Sequence, residues 1–305
     1  MSLVVVGSVA YDGVETPHGK VDRMLGGAAT YISLAAGYFT SVGIVAVVGD
    51  DFAPEDVDLL ASRNIDLSGL ERVAGGRTFF WAGVYSADMN DRTTLRTDLN
   101  VFADFNPKLP PSYRSQPYLF LGNIQPALQR NVRAQMNRLK LTGGDTMNYW
   151  IKDHRPALLE VLKGLDILLI NDTEVRMLAG KDNLLQAARA VLALGPRALV
   201  VKHGEYGATL FHGAKSAGRS FRAPAMLLEE VIDPTGAGDS FAGGFFGYLA
   251  SQPELTPAAF RRAMFYGSVM GSFACECFGT ERLQKLTRKE IDERFTVFRE
   301  LTHLD

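Results

Sequence analysis

The sequence predicts a doubly wound α/β fold: a mostly parallel sheet flanked by helices, with a small β-sheet lid. Three observations carry that expectation. Short continuous apolar runs alternate with longer helical patterns, glycine and polar turn residues bound the runs, and two stretches that break the alternation suit β-ribbons. Strands that are apolar throughout need cover on both faces, which the helices of a parallel sheet supply.

The strand candidates are "LVVVGS" (3–8), "GIVAVVG" (43–49), "YLFLGN" (118–123), "LDILLIN" (165–171) and "RALVVKHG" (197–204). Helices are expected between them at about 27–38, 53–63, 127–138, 183–193, 239–250 and 256–274. Residues 11–24 and 77–98 read as ribbons of a small antiparallel sheet, the second with a polar turn around Asp88 to Arg92. Phe79, Trp81, Gly83 and Tyr85 alternate with Phe80, Ala82 and Val84, so both faces of that ribbon are apolar. One face can cover a ligand and the other can meet a second copy of the chain, giving a homodimer through the lid. Ligands of open α/β sheets bind beyond the carboxyl ends of the strands, where such a ribbon would exclude water; a surface hairpin without a role is the alternative. Residues 1–305 are read as one domain carrying this insertion.

Composition narrows the function. With 47% hydrophobic and 22% charged residues the chain is of ordinary globular make-up. A net charge of -2 offers no field for nucleic acid or an anionic membrane, so any anionic ligand must be held locally. No apolar stretch approaches about 18 residues and the amino terminus lacks a basic leader, so the expected location is cytoplasmic. Cys275 and Cys277, two apart on what reads as one helix, point away from each other, which suits a reducing compartment. The histidines (18, 154, 203, 212 and 303) lack metal-ligand spacing.

The chemistry concentrates in "DPTGAGDSF", residues 233–241. Gly236, Ala237 and Gly238 lack bulk, so their backbone N–H groups can approach a ligand, and Asp239 stands at a helix start, where free donors and a partial positive charge favour an anion. Asp239 reads either as a helix cap or, beside a bound phosphoryl group, as a base that takes the proton of an attacking hydroxyl. Neither a G-x-x-x-x-G-K-S/T loop nor a complete G-x-G-x-x-G fingerprint is present, since Phe241 stands where the latter needs its third glycine. "NDTE" (171–174) follows a strand; Asn171 and Glu174 suit either a capping box or the ordering of water about Mg²⁺. Gly26 and Gly27 in "MLGGAATY" permit close ligand approach or a tight turn. Asp12 could accept hydrogen bonds from two vicinal hydroxyls or serve a turn, and Asp145 and Asn148 in "GDTMNYWI" could hold substrate or end a strand.

With these motifs in order, "GSVAYDG", the glycine pair, "VGDDF", "NDTE", "VKHGEYG" (201–207) and "DPTGAGDSFAGGF", the chain resembles the ribokinase-like carbohydrate kinase (PfkB) family over nearly its whole length. The resemblance implies a ribokinase-like domain that moves the γ-phosphate of ATP to a primary hydroxyl of a sugar or nucleoside. It implies Asp239 as catalytic base, Gly236, Ala237 and Gly238 as anion hole, and Asn171 and Glu174 as the Mg²⁺-associated pair. Asp12, Gly26 and Gly27 match substrate-contacting positions, and Gly204 and Gly207 the nucleotide-binding turn. A monovalent cation, K⁺, is implied near Asp233, Thr235 and the segment around Gly279.

One position departs from the family pattern. Tyr31 stands where many members carry a substrate-binding asparagine, and a phenol can donate one hydrogen bond or stack on a ring. With the aromatic ribbon this leans the expectation toward an adenosine-kinase-like nucleoside kinase. A sugar or sugar-acid kinase of ribokinase, fructokinase or ketodeoxygluconokinase type is the alternative. A non-catalytic nucleotide or metabolite sensor is the rival of another class, against which a retained Asp239 argues.

Overall fold

The apolar runs become strands buried on both faces. The computed structural model describes residues 2–213 and 220–302, and strands and helices are numbered in chain order. The large sheet contains β1 (Leu3–Val6), β4 (Val42–Gly49), β5 (Ile65–Val73), β8 (Tyr118–Leu121), β9 (Leu141–Asp145), β10 (Ile167–Asn171), β11 (Ala198–Lys202), β12 (Ala208–His212) and β13 (Ser220–Ala223). Its spatial order is β13-β12-β11-β10-β9-β8-β1-β4-β5. The pairings from β11 through to β5 are parallel, while β12 and β13 join antiparallel at one edge.

Strand periodicity divides the interior into two cores. Leu3, Val5, Ile44, Ala46, Leu169 and Val200 face one side of the sheet, and Val4, Val6, Val45, Leu168, Ile170 and Val201 the other. The first side is covered by α1 (Ala28–Ala36), α2 (Pro54–Ser62), α8 (Ala237–Ser251), α9 (Pro257–Ala274), α10 (Glu281–Lys285) and α11 (Arg288–Thr302). The second is covered by α3 (Pro126–Ala134), α4 (Asn148–Asp153), α5 (Arg155–Leu162), α6 (Asp172–Ala179) and α7 (Leu184–Leu192). β5 and the β12–β13 hairpin have no counterpart among the expected strands.

The glycines inside α8 are there for close approach. A Cβ on Gly243 would overlap the Ile32 carbonyl of α1, and one on Gly244 would crowd the Tyr266 carbonyl and Met270 of α9. α8 is thereby wedged between two helices and the sheet, where Phe246 lies over Gly143 and meets Phe120 edge-on with centroids 4.9 Å apart.

A second sheet, of β2 (Ala10–Thr16), β3 (Gly19–Gly26), β6 (Phe79–Tyr85) and β7 (Arg92–Asp98), has the order β3-β2-β6-β7. Its two hairpins are antiparallel, but β2 and β6 pair in parallel, so the sheet is not the wholly antiparallel one expected. The reason is connectivity: each hairpin leaves the main sheet separately, and the two meet through their first strands.

Two local expectations are corrected. The helix expected from 239 begins at Ala237, so the small residues before Asp239 form its first turn. Cys275 and Cys277 do not share a helix: α9 ends at Ala274, Cys275 caps it, and the chain turns so that Gly279, at φ 59, meets Asp233. Both cysteines are free.

Phe246→Ala should open a cavity beneath α8 and lower stability by about 3–5 kcal/mol, a typical cost of Phe-to-Ala truncation. Urea unfolding followed by circular dichroism measures it, and a loss below about 1 kcal/mol would contradict this account of how α8 is anchored.

Candidate active site

β1, β8, β9, β10 and β11 run parallel, so their carboxyl ends share one edge of the sheet, and β1 lies between β4 and β8, where the strand order reverses, the usual position of the ligand crevice in an open α/β sheet. The amino terminus of α8 enters this crevice. Its N-cap is Gly236 in the left-handed region at φ 76, and Asp239 makes no capping hydrogen bond, so the helix-cap alternative for Asp239 does not describe it. Tyr31 explains why position 236 must lack a side chain: any Cβ there would overlap the Tyr31 ring.

The first turn of α8 leaves donors over. Ala237 N–H donates to the Pro234 carbonyl at 3.2 Å and Ser240 N–H to the Gly236 carbonyl at 2.7 Å. Among the described residues the N–H groups of Gly238 and Asp239 have no acceptor. They are the orphan donors of a helix start, with the dipole behind them. Ala237, expected in the anion hole, has its amide engaged; the expected Gly236 and Gly238, and the backbone of Asp239 itself, offer free N–H groups among the described residues.

Carboxylates gather around this turn. Burial raises the pKa of Asp239, opposed by Lys202 and then Arg92. Asp145, at the end of β9, is pushed far above the ordinary carboxylate range by burial and then by Asp239, and its Oδ1 has no partner among the described residues. Burial raises Glu174 as well, again opposed by Lys202. Asp12 is buried, and its pKa is pushed up to about 7 by desolvation, tempered by the Gly27 N–H, which donates to Oδ2 at 3.4 Å.

The glycine pair answers to Asp12. A Cβ on Gly26 would overlap its carboxylate, and Gly27, at φ 92, is the N-cap of α1. Tyr31 is 1% exposed and its hydroxyl has no hydrogen-bond partner among the described residues. Asn148 is exposed at the start of α4, where its side-chain oxygen accepts from Tyr149 N–H at 2.8 Å; it makes no hydrogen bond to the carboxylate group. Asp145 is the member of that segment that feels the charge of Asp239.

Asn171 and Glu174 form the capping box of α6, with Glu174 N–H donating to Asn171 Oδ1 at 2.8 Å and Asn171 N–H to Glu174 Oε2 at 2.9 Å. That leaves Glu174 Oε1 for another partner. Among the described residues no three His, Cys, Asp or Glu side chains stand close enough to cage a metal; His303 lies outside those residues. An oxygen donor set of Glu174, Asn171 and the unpartnered Asp145 Oδ1 fits Mg²⁺ held largely through water and phosphate.

On the other side of the α8 turn lies a cavity of about 300 Å³, lined among others by Lys202, Gly204, Gly207, Ala237, Gly238 and Phe241. Gly204 (φ 57) and Gly207 (φ 90) shape the short turn between β11 and β12. Asp88, Met89 and Asn90, from the turn joining β6 and β7, also line it. Thr235 Oγ1 donates to Tyr85 Oη of β6 at 3.2 Å, tying the small sheet to the α8 approach. Asp233 is fully buried: Oδ1 accepts from Thr235 N–H at 2.8 Å and Oδ2 from Gly279 N–H at 3.0 Å, so the three positions expected together do meet. Lys202 and Arg92 were missed in the sequence; the only available signal was a basic residue at a strand end and in a ribbon turn.

The pfkB family carbohydrate kinase profile matches residues 2–286. The chain belongs to that family. It is 30% identical over 258 residues to the cytidine kinase of Thermococcus kodakarensis, covering 83% of this chain and 90% of that protein. Among solved structures, adenosine kinase from Sinorhizobium meliloti superposes with a TM-score of 0.78 at 16% identity, covering 99% of each chain. Aminoimidazole riboside kinase from Salmonella enterica, complexed with aminoimidazole riboside and an ATP analogue, gives 0.75 at 18% identity, covering 97% and 100%. These likenesses show a ribokinase-like fold, and family membership makes this pfkB carbohydrate kinase a phosphotransferase acting on a small molecule. Among the described residues no helix is long and apolar enough to cross a membrane.

A carboxyl group whose folded pKa exceeds its unfolded value stabilises the fold fully below the unfolded value, and that contribution is lost as pH rises through the folded pKa. For Asp12 the window runs from about 4 to about 7. Stability of the ligand-free protein should fall as pH rises across that window, and Asp12→Asn should make the fall smaller. Urea midpoints measured at several pH values check this; an equal slope in the variant would contradict it.

Proposed function

We propose that this pfkB carbohydrate kinase is an ATP- and Mg²⁺-dependent nucleoside kinase that phosphorylates a primary hydroxyl, with Asp239 as base. The observation that carries the reading is Asp239 in the first turn of α8, beside the acceptor-free N–H groups of Gly238 and Asp239 and between the Asp12 crevice and the Gly204–Gly207 cavity. Asp12, against Gly26 and Gly27, accepts from vicinal hydroxyls of the acceptor. Asp239 takes the proton of the attacking hydroxyl while the α8 amides meet the charge of the moving phosphoryl group. Gly204 and Gly207 let the nucleotide lie close to the backbone, and Asn171 and Glu174 orient water about Mg²⁺, which supplies charge neutralisation when bound.

Support for a nucleoside acceptor comes from the similarity to a cytidine kinase over most of the chain. It comes also from Trp81, the strand-register partner of Asp12, whose indole lies over Gly83 with its Nε1–H donating to Thr94 Oγ1 at 3.3 Å, a flat aromatic surface on the small sheet. Tyr31 underlies the α8 turn and offers the acceptor only its unpartnered hydroxyl. Asn148, exposed at the head of α4, serves the acceptor at the crevice rim. The small sheet acts as the lid; its face bearing Phe80, Ala82 and Val84 is the one a second copy would meet, because Tyr85 on the opposite face reaches Thr235. K⁺ acts beside Asp233 and Thr235: Asp233 is a buried carboxylate with a raised pKa and no ion pair among the described residues, which fits a neighbouring cation.

ADP production across nucleosides, pentoses, hexoses and sugar acids tests the reading. Turnover on nucleosides alone is expected; turnover confined to sugar acids or hexoses would replace the acceptor, and none at all would favour a sensor. Asp239→Asn should keep nucleotide binding and lower turnover at least ~100-fold. Near-normal turnover would remove Asp239 as the base.

A further inference from the structure

Lys202 ends β11, and its register partner on β10 is Asn171. The side chain runs to the amino terminus of α8: a Cβ built on Gly238 would stand 2.9 Å from Lys202 Nζ, so the ammonium occupies the space that glycine leaves open. Lys202 and Gly238 line the same cavity as Gly204 and Ala237. Its charge is felt at three carboxylates, Asp145, Glu174 and Asp239, lowering the pKa of each.

Despite those neighbours, Lys202 forms no ion pair and donates no side-chain hydrogen bond among the described residues. Its ammonium has three donors. A half-buried ammonium beside two acceptor-free backbone N–H groups makes a concentrated electropositive point, and the carboxylates around it do not close on it. Such an arrangement suits an anion that arrives through the cavity.

We propose that Lys202 is a catalytic residue of the phosphoryl transfer, its ammonium bonding oxygens of the ATP γ-phosphoryl group across from the α8 amides. The inference rests on the kinase reading above. During transfer the acceptor O–H bond breaks and its proton goes to Asp239, while the acceptor oxygen forms the new bond to phosphorus. The bond from phosphorus to the β,γ-bridging oxygen breaks, and its electron pair leaves with ADP. Lys202 keeps its proton throughout and contributes charge that follows the phosphoryl oxygens. A lysine that only kept the carboxylates compatible with one another would leave triphosphate recognition unchanged.

The test uses the full chain and its Lys202→Met and Lys202→Arg variants, titrated calorimetrically with the Mg²⁺ complex of β,γ-imido-ATP and, separately, with AMP. Lys202→Met should bind the triphosphate analogue at least ~10-fold more weakly while AMP binding stays within ~2-fold. With the best acceptor from the screen, its kcat should drop ~100-fold or more with little change in acceptor KM, and Lys202→Arg should recover most of the analogue binding. Unchanged analogue binding in Lys202→Met overturns the proposal alone. Failure of the wild-type chain to bind the analogue overturns the kinase reading with it. If Lys202→Met does not fold, the wild-type chain gives the answer: acetylation of Lys202 by acetic anhydride, read by peptide mass spectrometry, should be slowed by the analogue and not by AMP. Equal acetylation with both overturns the proposal.

Discussion

The amino terminus of α8 points two N–H groups without acceptors into a crevice where Asp12, Asp145, Glu174, Asp233 and Asp239 all have raised pKa values, burial being the largest cause in each. Gathering that much latent negative charge is unfavourable by itself, and it persists because the surrounding fold over-determines the position of the helix. α8 cannot slide: Gly243 and Gly244 press it against α1 and α9, and Phe246 presses it against the sheet. The hydrophobic wedge and the polar tip are thus two ends of one element. The apolar run that follows Asp239 holds that aspartate where its charge is costly and chemically useful.

Much of this was legible in the sequence because it depends on local chemistry. Fully apolar strands declare a sheet covered on both sides, and "GAGD" declares a helix start with close backbone approach. The glycine pair at 26–27 was legible as a close approach, although what approaches, the Asp12 carboxylate, is a tertiary fact. β5 was hidden because it lies at the sheet edge, and residues such as Ser68, Glu71 and Arg72 break its apolar pattern. The helix began two residues early because its N-cap, Gly236, takes a left-handed conformation that sequence does not display.

Side chains that act over a distance were the least legible. Lys202 after an apolar strand looks like any solvated strand end, and only the reach of its side chain to Gly238 gives it meaning. Arg92 opens β7 in the small sheet, far along the chain from the aspartates whose pKa values it lowers. For Asn171 and Glu174 the two interpretations open in sequence prove compatible: the capping box uses one oxygen of each side chain and leaves Glu174 Oε1 for other work. Tyr31 could be read as unusual, but its place beneath Gly236 required the fold.

The hydrogen bond from Thr235 to Tyr85 has a thermodynamic corollary. It joins the ribbon beside Asp12 to the turn that leads into α8, a direct physical link between the two ends. Linkage then requires reciprocity: if a ligand at the Asp12 end tightens the affinity for an anion at the helix tip by some factor, the anion tightens the first ligand by that same factor. Any coupling carried by that single hydroxyl contact would act equally in both directions.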